Sequence, residues 1–499
     1  MNLDLKRKHS VRVIEYPFSG AAEIISFRSK WMPSIIRAVS SRFVKKIVRD
    51  WRTAAVPNTV SGKVTNGVRN WYEVKEAVTA LATETARSQW AGVRTLALGG
   101  DHSQGFATVK ATMLVEVTRA ILHAESIPVD AATKRTLWSL TDEGKWTDVA
   151  DIVDRLAKSD EIVRNGIQKV IKGLAILWVD THGDFNNRFT SGSQNFHGMA
   201  LAAACGEDTG GIEKVFGECI KADPPNVWVV CCRHLDKKEE KLMSDRGVNF
   251  REFDMSHPEK PQIRAYCTQD GRYVGQPKGK SPRVAMELRS AVQLAHDLPL
   301  GKSGRVSKDI PLYEIIQSII WGNPDKKFIV SVDVDHLSGS YVSVTGTPMG
   351  LTREDVRGYR PHSPGATRVE VPRNRFGVSA RGPSIQDSIA ALYGVATCYE
   401  QVLATDLTEG NYAIGKYGKP KNDNTMTPYA THQLFTTMMG IPFHTALWAT
   451  LSIKKTEADL RNSIGALLKQ ELSSAPTSPS QHGGQSQSHI RSNRDARLG

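Results

Sequence analysis

Three apolar runs, at residues 93–98, 174–179 and 328–332, each end in a short cluster of metal-ligating residue types. The clusters are Gly99-Gly100-Asp101-His102-Ser103, Asp180-Thr181-His182-Gly183-Asp184 and Asp333-Val334-Asp335. In an extended chain, residues two apart project to one side, so Asp180, His182 and Asp184 share a side, as do Asp333 and Asp335. Asp180, Asp184, Asp333, Asp335, His102 and His182 together offer four carboxylates and two imidazoles. Such a group without cations would repel itself and take up protons, whereas two divalent ions cancel its formal charge.

Six runs rich in Val, Ile and Leu, without polar alternation, read as buried strands: 11–16, 95–98, 174–179, 227–232, 328–334 and 402–407. Stretches with helical apolar spacing lie between them, for example 31–51, 151–170 and 385–400. Continuous apolar strands alternating with helices predict an α/β protein, a three-layer αβα arrangement around a central parallel sheet covered on both faces. Ligands of such sheets collect beyond the carboxyl ends of the strands, where every candidate metal ligand here falls.

A single domain over residues 1–472 is expected, with additions at about 111–170, 252–310 and 351–383 that carry much of the basic charge. Residues 473–499, made of Ser, Gln, Gly, Pro, His and Arg, are too polar to bury a core and are expected to be a disordered tail. Lys and Arg exceed Asp and Glu by 13, so the surface attracts anions, acidic partners or nucleic acid nonspecifically. No finger, homeodomain or RNA-binding aromatic motif accompanies that charge, and nucleic acid is not the favoured partner.

No apolar run reaches the roughly 18 to 20 residues that cross a bilayer, so no membrane association is expected. The six cysteines show no CxxC pair and no secretory leader, which predicts reduced thiols in a reducing compartment. Cytoplasm is the expected location. The basic amino terminus leaves an uncleaved mitochondrial signal as the alternative.

At the ligand clusters the chain resembles the ureohydrolases, the arginase and agmatinase family of dimanganese enzymes. The resemblance rests on GGDHS, WVDTHGDFN, SGSQNFHGMAL, SVDVDHL with the following TGTP, and LTEGN, in order from residue 99 to residue 411. It implies one manganese held by His102, Asp180, Asp184 and Asp333, and a second held by Asp180, His182, Asp333 and Asp335. Imidazole mixed with carboxylate and no thiolate suits Mn, Fe, Co or Ni better than a structural zinc site.

The same resemblance gives Glu409 the guanidinium-binding position and His197 the proton-shuttling one, with Asp184 orienting the attacking water. Asn186, Ser191, Ser193 and Asn195 match positions that in arginases bind the α-carboxylate side of the substrate, and Asp236 and Glu239 match those that meet the α-amino group. The implied reaction is manganese-dependent hydrolysis of L-arginine to L-ornithine and urea. The alternatives are agmatine or another guanidino compound, or a non-catalytic subunit of the same fold that binds an acidic partner or RNA. A homo-oligomer, trimer or hexamer, is implied as well.

The chain departs from the family pattern where His336, Leu337, Ser338 and Gly339 replace the usual Gly-Leu-Asp-Pro, and where Gln194 stands at a position commonly Gly. Ser19, Gly20 and Ala21 also replace the usual glycine-rich loop after the first strand. Each motif has a plainer reading. Residues 99–103 fit a strand-to-helix turn capped by Asp101 or Ser103, and Asp236 with Glu239 fits a solvated charge cluster. His197 fits a core histidine and Glu409 a surface acid. Taken together, in order and at strand ends, the clusters favour the metal centre.

Overall fold

Strands form here where β-branched and other apolar residues run together, and helices where the apolar spacing widens to three and four. The computed structural model describes residues 11–22, 30, 32–39, 48–123, 127–232, 234–250, 312–337, 385–397, 401–410 and 426–439. The expected additions at 252–310 and 351–383 and the tail at 473–499 lie outside the described residues.

In chain order the main elements are β1 (Val11–Glu15), α1 (Met32–Val39), β2 (Val48–Thr53), the small hairpin of β3 (Val64–Thr65) and β4 (Val68–Arg69), α2 (Trp71–Trp90), β5 (Arg94–Leu98) and α3 (Ser103–His123). They continue with α4 (Ala131–Asp142), α5 (Trp146–Ser159), α6 (Glu161–Lys172), β6 (Leu174–Val179), α7 (Ala200–Ala204), β7 (Val227–Val230) and α8 (Lys237–Arg246). The last are α9 (Leu312–Gly322), β8 (Lys327–Asp333), α10 (Ile385–Thr397), β9 (Val402–Thr408) and α11 (Met426–Met438).

Seven strands form one sheet in the order β2-β1-β5-β9-β8-β6-β7, and all six neighbouring pairs are parallel. This is the expected three-layer α/β architecture. Alternate strand residues feed two cores. Ile14, Ala97, Trp178 and Ile329 pack with Leu81, Leu114, Val153 and Ile167 of the helices α2 to α6. Val13, Leu96, Leu177 and Val330 pack on the other face with Ile36, Ile316, Leu392 and Phe435, from α1, α9, α10 and α11. Segment 111–170 therefore belongs to the first core through Leu114, Ile121, Val149 and Ile167.

The expected helix over 31–51 is corrected. It stops at Val39, and Val48–Thr53 is the edge strand of the sheet. Val48 and Trp51 are three apart, which mimics a helical stripe. They share a face because the register slips between Val11 and Arg12, an irregularity that puts an extra residue into β2. The rest of that strand is polar because it is an edge: Asp50 pairs with Arg12 at 2.6 Å and Arg52 with Glu84 at 3.2 Å. The expected helix over 151–170 is the end of α5 plus α6, divided where the Asp160 carboxylate caps α6 by accepting from Ile162 and Val163 N–H.

Among the described residues no helix is long and apolar enough to cross a membrane. Of the described cysteines, Cys205 and Cys219 are free thiols.

His432 on α11 is fully buried and neither ring nitrogen has a hydrogen-bond partner. Burial alone pushes its pKa down to about 4 from 6.5. A histidine kept neutral by folding costs nothing above its unfolded pKa, and stability is lost as pH falls through the window from about 6.5 to 4. Urea unfolding of His432→Leu beside the parent at pH 7 and pH 4.5 should show the parent losing about 2 to 3 kcal/mol more on acidification than the variant. Equal losses in the two proteins would contradict the assignment.

Candidate metal centre

The carboxyl ends of β5, β9, β8 and β6 lie side by side, and each carries a polar turn. After β5, Gly99 and Gly100 take positive φ of 96° and 76°, and a Cβ on Gly100 would sit 2.5 Å from the Phe18 carbonyl and 2.6 Å from that of Tyr16. Only a glycine allows that approach. Asp101 then accepts from Ala21 N–H at 2.8 Å and from the Ser103 hydroxyl, which opens α3. The capped-turn reading of 99–103 holds, and the turn is what presents His102.

The His102 ring stacks on Trp178 at 4.1 Å, and its Nε2 lies 3.0 Å from Ser331 Oγ, which donates to Asp406 at 2.7 Å. That leaves Nδ1 facing three carboxylates: Asp180 at 2.9 Å, Asp184 at 2.8 Å and Asp333 at 3.4 Å. His182 Nδ1 lies 3.5 Å from Asp180 and 3.2 Å from Asp335. Two groups able to hold an ion result, His102-Asp180-Asp184 and Asp180-His182-Asp335, with Asp180 common to both.

The carboxylates are fixed by the backbone beneath them. Asp180 accepts from His182 N–H at 2.8 Å and from the Trp178 indole at 3.1 Å; Asp333 accepts from Asp335 N–H at 2.7 Å, and Asp335 from Thr181 N–H at 3.2 Å. Asp184 holds a left-handed φ of 48°, uncommon for a residue with a side chain.

The donor set fits divalent cations. Carboxylate and imidazole atoms about 3 Å apart match neighbouring positions around an octahedral ion with ligands at about 2.1 Å. His102 Nδ1 and Asp184 Oδ2 are buried without a hydrogen-bond partner. Burial pushes Asp184 up to about 6, with the Asp180 charge adding to it. Burial also drives Asp333 well above the ordinary carboxyl range, reinforced by Asp335, Glu409 and Asp180. Burial works against charge on His102, but the carboxylates of Asp180, Asp184 and Asp333 outweigh it and raise its pKa well above normal. Bound cations would favour the ionised carboxylates and the neutral imidazole and so oppose all three shifts.

The cluster opens into a cleft of about 120 Å³ lined by His182, Asp184, Asn186, His197, Gly198, His234, Asp236, Glu239, Asp333 and Glu409. Glu409 follows β9 with φ of 57°, accepts from His102 N–H at 3.1 Å, and lies 2.9 Å from His197 Nδ1. Burial opposes charge on His197, yet Glu409 outweighs it and holds the imidazole up to about 9. The two residues form a buried pair in the cleft wall, which is neither a lone core histidine nor a surface acid.

The residues expected at the far end of a substrate divide. Asn186 lines the cleft, whereas Ser191, Ser193 and Asn195 are not among its lining residues. Their side chains meet Gln194 N–H, Asn195 N–H and the Arg69 guanidinium. Gln194 adopts φ of 60°, the conformation for which glycine is the usual residue. Asp236 and Glu239 reach the cleft but form the capping box that starts α8. Glu239 accepts from Phe185 N–H at 2.9 Å and from Asp236 N–H at 3.3 Å, and burial, aided by Asp184, pushes its pKa up to about 8. The Asp-x-x-Glu spacing before a charged helix was the visible signal of that box.

His336 turns to α10, with Nε2 2.9 Å from Ser388 and Nδ1 on the Asp333 carbonyl. Sequence reasoning did not single out His234, which lines the cleft with its ring 5.3 Å from that of His182. It also passed over Trp178, Ser331 and Asp406, which orient His102. A lone polar residue inside a buried strand, as at Ser331 and Asp406, was the available signal.

Residues 162–279 match the arginase family. Over that stretch the chain is similar to the arginase family. The arginase of Bacillus caldovelox is 36% identical over 85 residues, which is 17% of this chain and 28% of that protein. The arginase of Staphylococcus aureus strain COL is 34% identical over 100 residues, 20% of this chain and 32% of that protein. The chain thus matches about a third or less of the length of these curated relatives. A crystal structure of Entamoeba histolytica arginase in complex with L-ornithine shares the arginase fold with this chain, with a TM-score of 0.51 and 16% identity, covering 87% of this chain and 99% of that one.

The turn after β5 depends on Gly100. Replacing it with alanine forces a methyl group against two carbonyls in a left-handed conformation. We expect Gly100→Ala to lose about 2 kcal/mol or more of stability. Thermal unfolding checks it, and an unchanged Tm would show that the turn can open without loss.

Proposed function

We propose that this chain is a manganese-dependent hydrolase of a guanidino compound, and that the substrate is L-arginine, cleaved to L-ornithine and urea. The observation that carries this reading is the meeting in one cleft of two cation-binding groups with the Glu409–His197 pair.

His102, Asp180, Asp184 and Asp333 would hold one cation, and Asp180, His182, Asp333 and Asp335 would hold the other. When bound, the pair supplies an activated water and Lewis-acid stabilisation of developing negative charge. Glu409 binds the guanidinium by accepting from its nitrogens, which presents the central carbon to the metal side of the cleft. Asp184 accepts a hydrogen bond from the attacking water and fixes its direction. His197 keeps Nδ1 on Glu409 and donates the Nε2 proton to the leaving amine. Asn186 reads the substrate's carboxylate end at the cleft wall, the feature that separates arginine from agmatine.

Urea release in the presence of Mn2+ tests the reaction. We expect activity on L-arginine to exceed that on agmatine, and Asp184→Asn to lower kcat by roughly 10² to 10⁴-fold. Full activity in Asp184→Asn, or no release from any guanidino compound, would refute the proposal.

Metal analysis tests the centre independently. We expect two manganese ions per chain in the parent and none retained tightly by Asp180→Asn, because that carboxylate serves both groups. Two ions held by the variant would exclude Asp180 as the bridge.

A further inference from the structure

The two acids that follow β8 come from one tight turn, so the direction of that turn sets two ligands together. From the β6 side it is held through Thr181, whose hydroxyl donates to the Asp335 carbonyl at 2.7 Å and whose N–H donates to the Asp335 carboxylate. From the opposite side it is held through His336. This imidazole is wholly buried, as is Ser388, and it spans from the Asp333 carbonyl at Nδ1 to Ser388 Oγ, 2.9 Å away at Nε2.

Chemistry fixes the roles along this line. A carbonyl only accepts, so Nδ1 carries a hydrogen, and Nε2 and the Ser388 hydroxyl share the second hydrogen bond. The histidine is therefore a spacer between the Asp333 backbone and a helix. The partner helix is a firm base. Ile389, Leu392 and Val395 of α10 lie in the same core as Val330, Val332, Val334 and Leu337 of β8 and its turn. His336 and Ser388 are 52 residues apart in sequence, so the contact joins two separate segments of the fold.

We propose that His336 is a positioning residue for the metal centre: with Ser388 it braces the Asp333–Asp335 turn against α10 in the orientation that cation binding requires. The brace rests on the metal-centre reading given above, and it deepens that reading by assigning a role to the residue at which the sequence leaves the family pattern. An aliphatic side chain at 336 would fill the space but remove the donor from a buried carbonyl, which then turns to find another partner and takes the ligand carboxylates with it.

The test is a Mn2+ titration of the full-length chain against a competing chelator, for the parent, His336→Ala, Ser388→Ala, the double variant and Ser388→Thr. The metal-free Tm is measured alongside. We expect the two single alanine variants to bind Mn2+ roughly 10 to 100-fold more weakly, in line with the loss of groups that orient metal ligands. The double variant should be no weaker than the worse single, and Ser388→Thr, which keeps the hydroxyl, should stay near the parent. Manganese affinities within about twofold of the parent, with only the metal-free Tm lowered, would overturn the proposal by showing a purely structural contact. If His336→Ala does not fold, the Ser388→Ala and Ser388→Thr pair decides between the same two outcomes. A parent that binds no Mn2+ overturns the metal-centre reading itself and the brace with it, a result visible before any variant is compared.

Discussion

Four buried carboxylates around two imidazoles are the constraint from which the rest of this structure follows. Such a group is too strongly self-repelling to stay ionised on its own, and Asp184 and Asp333 are driven toward protonation by burial and by each other's neighbours. The protein nevertheless spends backbone N–H groups of Thr181, His182 and Asp335 on holding these acids in place. Donors aimed at carboxylates favour the ionised form, which is the form that binds a cation. The site is thus built for charge that only an added positive ion can neutralise.

Sheet order turns scattered sequence into that site. β9 is the last strand among the described residues but lies at the centre of the sheet, between β5 and β8. Glu409 consequently emerges between His102 and Asp333, although 307 residues separate it from the backbone N–H of His102 that it binds. The interior strands are apolar on both sides because each feeds a helical layer on either face, and this is why the ligands are confined to the strand ends. Ser331 and Asp406 are the exceptions, buried polar residues in adjacent strands that meet each other and orient His102. An unpaired hydroxyl or carboxyl there would be costly, so their pairing ties the sheet register to the direction of one imidazole.

The sheet was legible in the sequence because its apolar runs end abruptly in acids and histidines, and those ends are the residues that the structure brings together. What was not legible depends on contacts between distant segments. The helical look of residues 31–51 came from Val48 and Trp51, and only the slip opposite β1 shows that a strand can place both on one face. Asp236 and Glu239 have the right chemistry for a substrate amine, yet their spacing equally makes a capping box, and the structure shows that box formed. Asn195 and Ser193 sit near the cleft in sequence terms, but Arg69 and a backbone N–H engage their side chains. His336 could not be assigned a direction until α10 was seen beside it.

Backbone conformation adds a separate line of support for the location of the chemistry. Asp184, Gln194, Cys231 and Glu409 all hold left-handed φ, at 48°, 60°, 74° and 57°. Asp184 and Glu409 line the cleft. For a residue with a side chain this conformation costs about 1 to 2 kcal/mol, and such strain persists only where surrounding contacts over-determine it. Those contacts are present for Glu409, whose N–H donates to the Gly100 carbonyl at 3.0 Å while its carboxylate accepts from His102 N–H and pairs with His197. A glycine there would relieve the backbone but lose the acid, and an acid in relaxed backbone would point elsewhere. The strain at Glu409 is therefore the consequence of requiring a carboxylate at that point, facing the cations across the cleft.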